Sequence, residues 1–147
     1  MKIKYIIAGL LFLLFTSCDN TLQCERHFLP RQFLGKVVIV FNQKDGQKKV
    51  NQEGCIVYYI PQSGDCKSAL PIKSGTAYPN ETFRYFLGMD PKNSIEIFEF
   101  LESDYFKDTT ANKYKKYIFN LYSGYSAPNN VFGYEVDYGS NYKKHYY

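Results

Sequence analysis

The chain has 147 residues, 18 of them lysine or arginine against 14 acids, for a formal charge of +4, and 45% of the residues are hydrophobic. Half of that small excess lies in Lys2 and Lys4. The other lysines fall in separated pieces (Lys48-Lys49, Lys115-Lys116, Lys143-Lys144) broken by acids and turns, which argues against a nucleic-acid partner.

Residues Met1 to Cys18 come first in chain order. Lys2 and Lys4 precede the apolar stretch Tyr5 to Phe15, and Thr16-Ser17-Cys18 closes the segment, which is the charge, apolar core and small-residue order of an export signal. The stretch is shorter than the roughly 20 apolar residues that cross a bilayer core. The Ser17-Cys18 ending resembles the lipobox of bacterial lipoproteins. That resemblance implies removal of residues 1–17, lipidation of Cys18 with acyl chains such as palmitate, and a tether over residues 18–24. Two or three acyl chains, at about 0.8 kcal/mol per buried methylene, hold a water-soluble body at a membrane. Residues 25–147 are then one globular domain, of a length that buries a core.

Within that domain, Val37 to Phe41 is rich in β-branched residues and reads as a strand. It leads into Asp45-Gly46, a favoured hairpin turn. Cys55 to Ile60 is a second strand, ended by Pro61, and the two are expected to pair. Lys67 to Ile72 suggests a shorter strand and Thr82 to Leu87 another, stopped by Gly88. The period then changes. Ile95, Phe98, Leu101 and Tyr105 recur at helical spacing with Glu96, Glu99 and Glu102 at other angles, and Asn93 to Glu96 resembles a capping box. A second helix is expected through Tyr114, Tyr117, Ile118 and Leu121, with Thr110 as its N-cap and Gly124 as its stop. Phe132, Tyr134, Val136 and Tyr138 alternate with Glu135 and Asp137 as a last strand. The expected class is α+β and β-rich: a small antiparallel sheet or sandwich with one or two helices in the C-terminal half.

With Cys18 lipidated, Cys24, Cys55 and Cys66 remain in a compartment that permits disulfides. Cys55 with Cys66 is the first choice, because Pro61 and Gly64 let the chain fold back between them. Cys24, on the tether, either stays free or competes for one of these partners. Cys24, His27, Cys55 and Cys66 lack the paired spacing of a structural zinc site, so no metal is expected. Gly124-Tyr125-Ser126 has no closing glycine for a nucleophile elbow, and no phosphate-cradling loop occurs, so neither a catalytic residue nor a cofactor is expected. The Glu96, Glu99, Glu102 series reads as a solvated face. The chain carries 15 tyrosines and 12 phenylalanines without tryptophan. Packing accounts for most of these, and Tyr125, Tyr142, Tyr146 and Tyr147 are the candidates for ligand-facing rings.

The residues Phe28-Leu29-Pro30, Phe33, Gly35, Val37 and Ile39, then Ile60 to Gly64 and Tyr85 to Gly88, are similar to an uncharacterised domain family of bacterial lipoproteins. The resemblance spans most of residues 25 to 110 and implies a short β domain behind a lipid anchor, with no catalytic residues. The expected protein is thus a noncatalytic binding or structural module of the bacterial envelope, on the outer membrane or cell surface. Its partners are the membrane, through lipid, and an envelope protein or glycan. Two alternatives stand beside this reading. One is an inhibitor or immunity lipoprotein against a wall-degrading enzyme or toxin; the other is a small thiol enzyme using Cys66 or Cys55 with His27.

Overall fold

Alternation of apolar side chains sorts nine strands into two sheets. In the structure, a computed structural model, residues 22–51, 53–72, 81–106, 110–124 and 130–146 are described. The strands are β1 (Glu25–Leu29), β2 (Gly35–Val40), β3 (Lys49–Val50), β4 (Ile56–Tyr59), β5 (Asp65–Lys67), β6 (Phe83–Leu87), β7 (Ile95–Ile97), β8 (Lys116–Gly124) and β9 (Val131–Tyr138). The first sheet has the order β3-β4-β1-β6-β7 and the second β5-β2-β9-β8. Both are mixed: β1 runs parallel to β4 and β6, and β2 runs parallel to β5 but antiparallel to β9. Short helices α1 (Glu102–Phe106), α2 (Thr110–Lys113) and α3 (Tyr142–Tyr146) complete a β-rich α+β fold, which is the expected class, with mixed sheets in place of the expected antiparallel one.

The sheets are joined at both flanks. On one side a parallel bridge links Glu99 to Ile118, with Phe100 N–H donating to Ile118 O and Ile118 N–H to Phe98 O, each at 2.9 Å. On the other, Gln47, just before β3, bridges Ser68, just after β5. The strands therefore wrap one interior, and the outer edges that would otherwise expose unpaired backbone are partly used up. Val37 and Ile39 of β2, Ile118 of β8 and Tyr134 and Val136 of β9 fill that interior from one sheet, and Leu29 and Tyr58 from the other.

Several expectations are corrected. The β2 and β4 runs do not pair; they lie in different sheets, and the Asp45-Gly46 turn sends the chain toward β3, which pairs antiparallel with β4. The shorter strand starts earlier than Lys67 and ends there. The helix expected from Ile95 is strand β7, paired with β6 through Leu87↔Ile95 and Tyr85↔Ile97, and only Glu102–Phe106 is helical. The second helix is four residues long, and Tyr117, Ile118 and Leu121 belong to β8. Tertiary pairing overrides local periodicity in both cases.

The disulfide is also corrected. Cys24 bonds Cys55, with Cα atoms 4.7 Å apart, and Cys66 is a buried free thiol. The parallel register explains the choice. Glu25 lies opposite Ile56, so the residues just before each strand are neighbours, and Ile56 N–H donates to Cys24 O at 2.9 Å. Cys66 sits in the other sheet opposite Ile39, facing the interior.

Candidate functional site

The second sheet is covered on its outer face as well. Along β8, Ile118 points into the main core while Tyr117 and Phe119 point out, where they form a second cluster with Phe100, Tyr142 and the partly buried Tyr105. Phe100 is stacked on Phe119 (4.9 Å between centroids) and on Tyr142 (5.0 Å), and Tyr105 packs on Tyr142 at 4.5 Å. Helix α3 is laid on this surface by Tyr142 and by His145, whose ring stacks on Phe119 at 4.3 Å.

Beside the rings lies a charged cluster. Glu135 and Asp137, two apart on β9, share the outer face, and Lys144 Nζ reaches Glu135 Oε1 and Asp137 Oδ2, each at 3.2 Å. His145 Nε2 is 3.2 Å from Asp137 Oδ2, and Asn141 donates to Asp137 Oδ1 at 2.7 Å. Asn120 holds the other ring nitrogen of His145 at 3.0 Å. It adopts φ of +50° at a register shift in β8, a conformation that asparagine tolerates better than most residues. Burial alone would raise the Asp137 carboxyl, but hydrogen bonds from Asn141, the Tyr138 backbone, His145 and Lys144 together hold it below its ordinary value. Hydrogen bonds to Glu135 and Asp137 in turn raise Lys144. Donor atoms of Glu135, Asp137 and His145 lie within 4.8 Å of one another, a donor set that could take a divalent cation. In this structure the Lys144 ammonium supplies the positive charge between the carboxylates.

A cleft of about 510 Å³ opens next to this cluster. Phe100 and the α1 residues Asp104, Tyr105 and Phe106 line it, together with Asn112 and Lys113 of α2. Gly139, Ser140 and Lys143 contribute from the turn that leads into α3 and from α3 itself. Gly139 is required by close approach: a Cβ there would lie 2.6 Å from Asn112 O and 3.0 Å from the Tyr117 ring.

Two other places bear on the expected chemistry. Between the two sheets His27 is fully buried. Its Nε2 is 3.0 Å from Glu25 Oε2 and its Nδ1 is 3.2 Å from the Tyr134 hydroxyl. Cys66 receives a hydrogen bond from Gln47 Nε2 at 3.3 Å, and burial pushes its thiol up to about 11, away from the reactive thiolate. Cys55 is bonded to Cys24, so the pairing of His27 with either thiol is not assembled. On the outer face of the first sheet, Tyr59, Phe28 and Phe86 form a continuous stack with spacings of 5.5 and 5.0 Å. Lys49 covers the Tyr59 ring at 4.9 Å and Arg84 the Phe86 ring at 5.4 Å. The ring faces of this ladder are thus already used by one another and by the two cations.

Of the expected ligand-facing tyrosines, Tyr142 is corrected: it is 6% exposed, held between Phe100 and Tyr105. Tyr146 is half exposed and packs on Tyr142. Tyr125, Tyr147 and the lipidation candidate Cys18 lie outside the described residues. Lys143, Phe106 and the Glu135–Asp137–His145 cluster were not signalled by the sequence. The alternation that marks β9 assigns its acids to solvent, and nothing local shows that α3 returns to cover them.

Together these observations define a β-rich α+β body whose two mixed sheets are joined at both flanks, with a cleft on the outer face of one. No family model matches the chain. No curated protein matches it either. Among solved structures, the crystal structure named "Putative Lipoprotein from Bacillus anthracis" superposes with a TM-score of 0.49 at 8% identity, covering 80% of this chain and 71% of its own.

Proposed function

We propose that the protein is an exported, lipid-anchored component of the bacterial envelope, tethered through Cys18 to the outer membrane or cell surface, with a body that is a noncatalytic binding module. The observation that carries this reading is the Cys24–Cys55 disulfide, only six residues beyond Cys18, since such bonds persist in oxidising compartments. The signal-like order of Lys2, Lys4, the apolar stretch and Ser17-Cys18 supports it, as does a folded body that begins within a few residues of the anchor. The buried, raised Cys66 thiol and the fully engaged His27 favour binding over thiol catalysis.

Intact mass of the protein from membrane fractions tests the proposal. The expected species begins at Cys18 and carries diacylglyceryl and acyl mass, and Cys18→Ala moves the chain out of the membrane fraction. A chain that begins elsewhere, without added lipid mass, overturns it.

A further inference from the structure

The cleft beneath α1, α2 and α3 is the place where a ring-lined surface and an uncommitted positive charge coincide. Among the described residues Lys143 makes no ion pair, although the next residue, Lys144, holds two carboxylates. Lys113 also lines the cleft. Asp104, the lining acid, is turned to its own chain, where its carboxylate accepts the Leu101 N–H at 3.1 Å. The apolar side is equally unspent: Phe106 is 73% exposed and meets Tyr105 edge to face at 5.5 Å. Asn112 and Ser140 place hydrogen-bonding groups beside these rings.

Size and rigidity suit a small ligand. The volume of about 510 Å³ falls within the range of small-molecule sites. The floor is already ordered, because Gly139 is pinned against α2 and Phe100 and Tyr105 are packed on Tyr142, which leaves Lys143 and Phe106 as the exposed side chains to be ordered on binding. The donor chemistry narrows the ligand further. Strong phosphate sites add arginine forks or rows of backbone N–H groups at helix N-termini to their lysine point charges, and the lining contains neither an arginine nor a long helix. The Lys143 point charge beside neutral amide and hydroxyl groups suits a single carboxylate on a hydroxylated ring, whose apolar C–H face rests on Tyr105 and Phe106.

We infer that this cleft binds an acidic sugar, a pyranose unit bearing a carboxylate, with Lys143 meeting the carboxylate and the Tyr105–Phe106 pair receiving the ring. The inference names the ligand class of the binding module proposed above and rests on that reading.

The test is calorimetric titration of the full chain, purified in detergent micelles, with tri-galacturonate, and with galactotriose and inorganic phosphate as comparison probes. Tri-galacturonate is expected to bind about tenfold or more tightly than galactotriose, a preference that shrinks with added salt. Lys143→Ala and Phe106→Ala are each expected to weaken it about fivefold or more while the thermal midpoint stays in place, both side chains being exposed. Equal affinity for the neutral trisaccharide, tighter binding of phosphate, or no loss in either variant overturns the inference. Absence of tri-galacturonate binding by folded protein that carries lipid mass overturns it too, and leaves the lipid-anchored reading standing. Binding by a chain without lipid mass has the reverse effect: it upholds the cleft and removes the anchor.

Discussion

At the scale of single residues, the interior between the two sheets sets two tyrosine hydroxyls in contrast. The Tyr134 hydroxyl is the partner of His27 Nδ1, whereas the Tyr85 hydroxyl, buried next to it with ring centroids 4.8 Å apart, has no hydrogen-bond partner among the described residues. Burial keeps both phenols well above their ordinary range, so each is protonated at any ordinary pH. Tyr134→Phe leaves a buried imidazole nitrogen unpaired and is expected to cost about 1–3 kcal/mol. Tyr85→Phe removes an unsatisfied group and is expected to be neutral or to stabilise the fold. Urea midpoints for the two variants check the contrast, and a loss at Tyr85 as large as that at Tyr134 contradicts it. The sequence places both in strands, and alternation with Glu135 and Asp137 marks the face that carries Tyr134, but pairing with His27 depends on two sheets meeting, which no local pattern reports. The cysteines carry the same lesson. Loop composition favours Cys55 with Cys66, while strand register, invisible before β1 is recognised beside β4, selects Cys24. Closing a loop of 31 residues is expected to contribute about 3–4 kcal/mol, so Cys24→Ser and Cys55→Ser should lower the unfolding midpoint alike.

At the scale of elements, helix α3 is five residues long and has too few turns to hold itself in water. It stays in place through the Tyr142 and His145 rings and through Lys144 between Glu135 and Asp137. The pH dependence follows from the directions of the two shifts. Asp137 is depressed in the folded protein, so its contribution is complete above the unfolded carboxylate value near pH 4 and is lost as pH falls through its lower folded value. Lys144 is raised, so its contribution is complete below the unfolded lysine value near pH 10.4 and is lost as pH rises through its higher folded value. Amide exchange in α3 is therefore expected to quicken below about pH 4 ahead of exchange in β9. Asp137→Asn should flatten that acid limb. An α3 as protected at pH 2.5 as at pH 6 contradicts the account. Element type was legible where alternation was plain, in β2, β4, β6 and β9. It failed in β8, whose Tyr117-Ile118-Phe119 run is buried on both faces and so has no period to read.

At the scale of the whole molecule, the strands that share the interior come from distant parts of the chain. β2 lies between β5 and β9, so residues near 37 pair with residues near 134, and β1 is flanked by β4 and β6. Neither sheet is a meander, and the bridges that join them, Glu99 to Ile118 and Gln47 to Ser68, each link one sheet to the other. Composition and strand count therefore show the β-rich class, while the order of strands depends on contacts that a chain-local reading does not contain. Two consequences for behaviour follow from this non-local wiring. Loop closure must be accomplished before most pairings stabilise the chain, so refolding followed by tyrosine fluorescence is expected on the millisecond-to-second scale, slower than for a helical protein of this length. Removing residues 131–146 takes away the antiparallel partner of both β2 and β8, together with Phe132, Tyr134 and Val136 of the interior. Such a truncation is expected to abolish the fold, since β2 would keep only the three-residue β5 as a neighbour and the outer ring cluster would lose Tyr142. Near-ultraviolet circular dichroism of the truncated chain decides the point: a retained tyrosine signal with a cooperative melt would show that the two sheets do not depend on β9 to close.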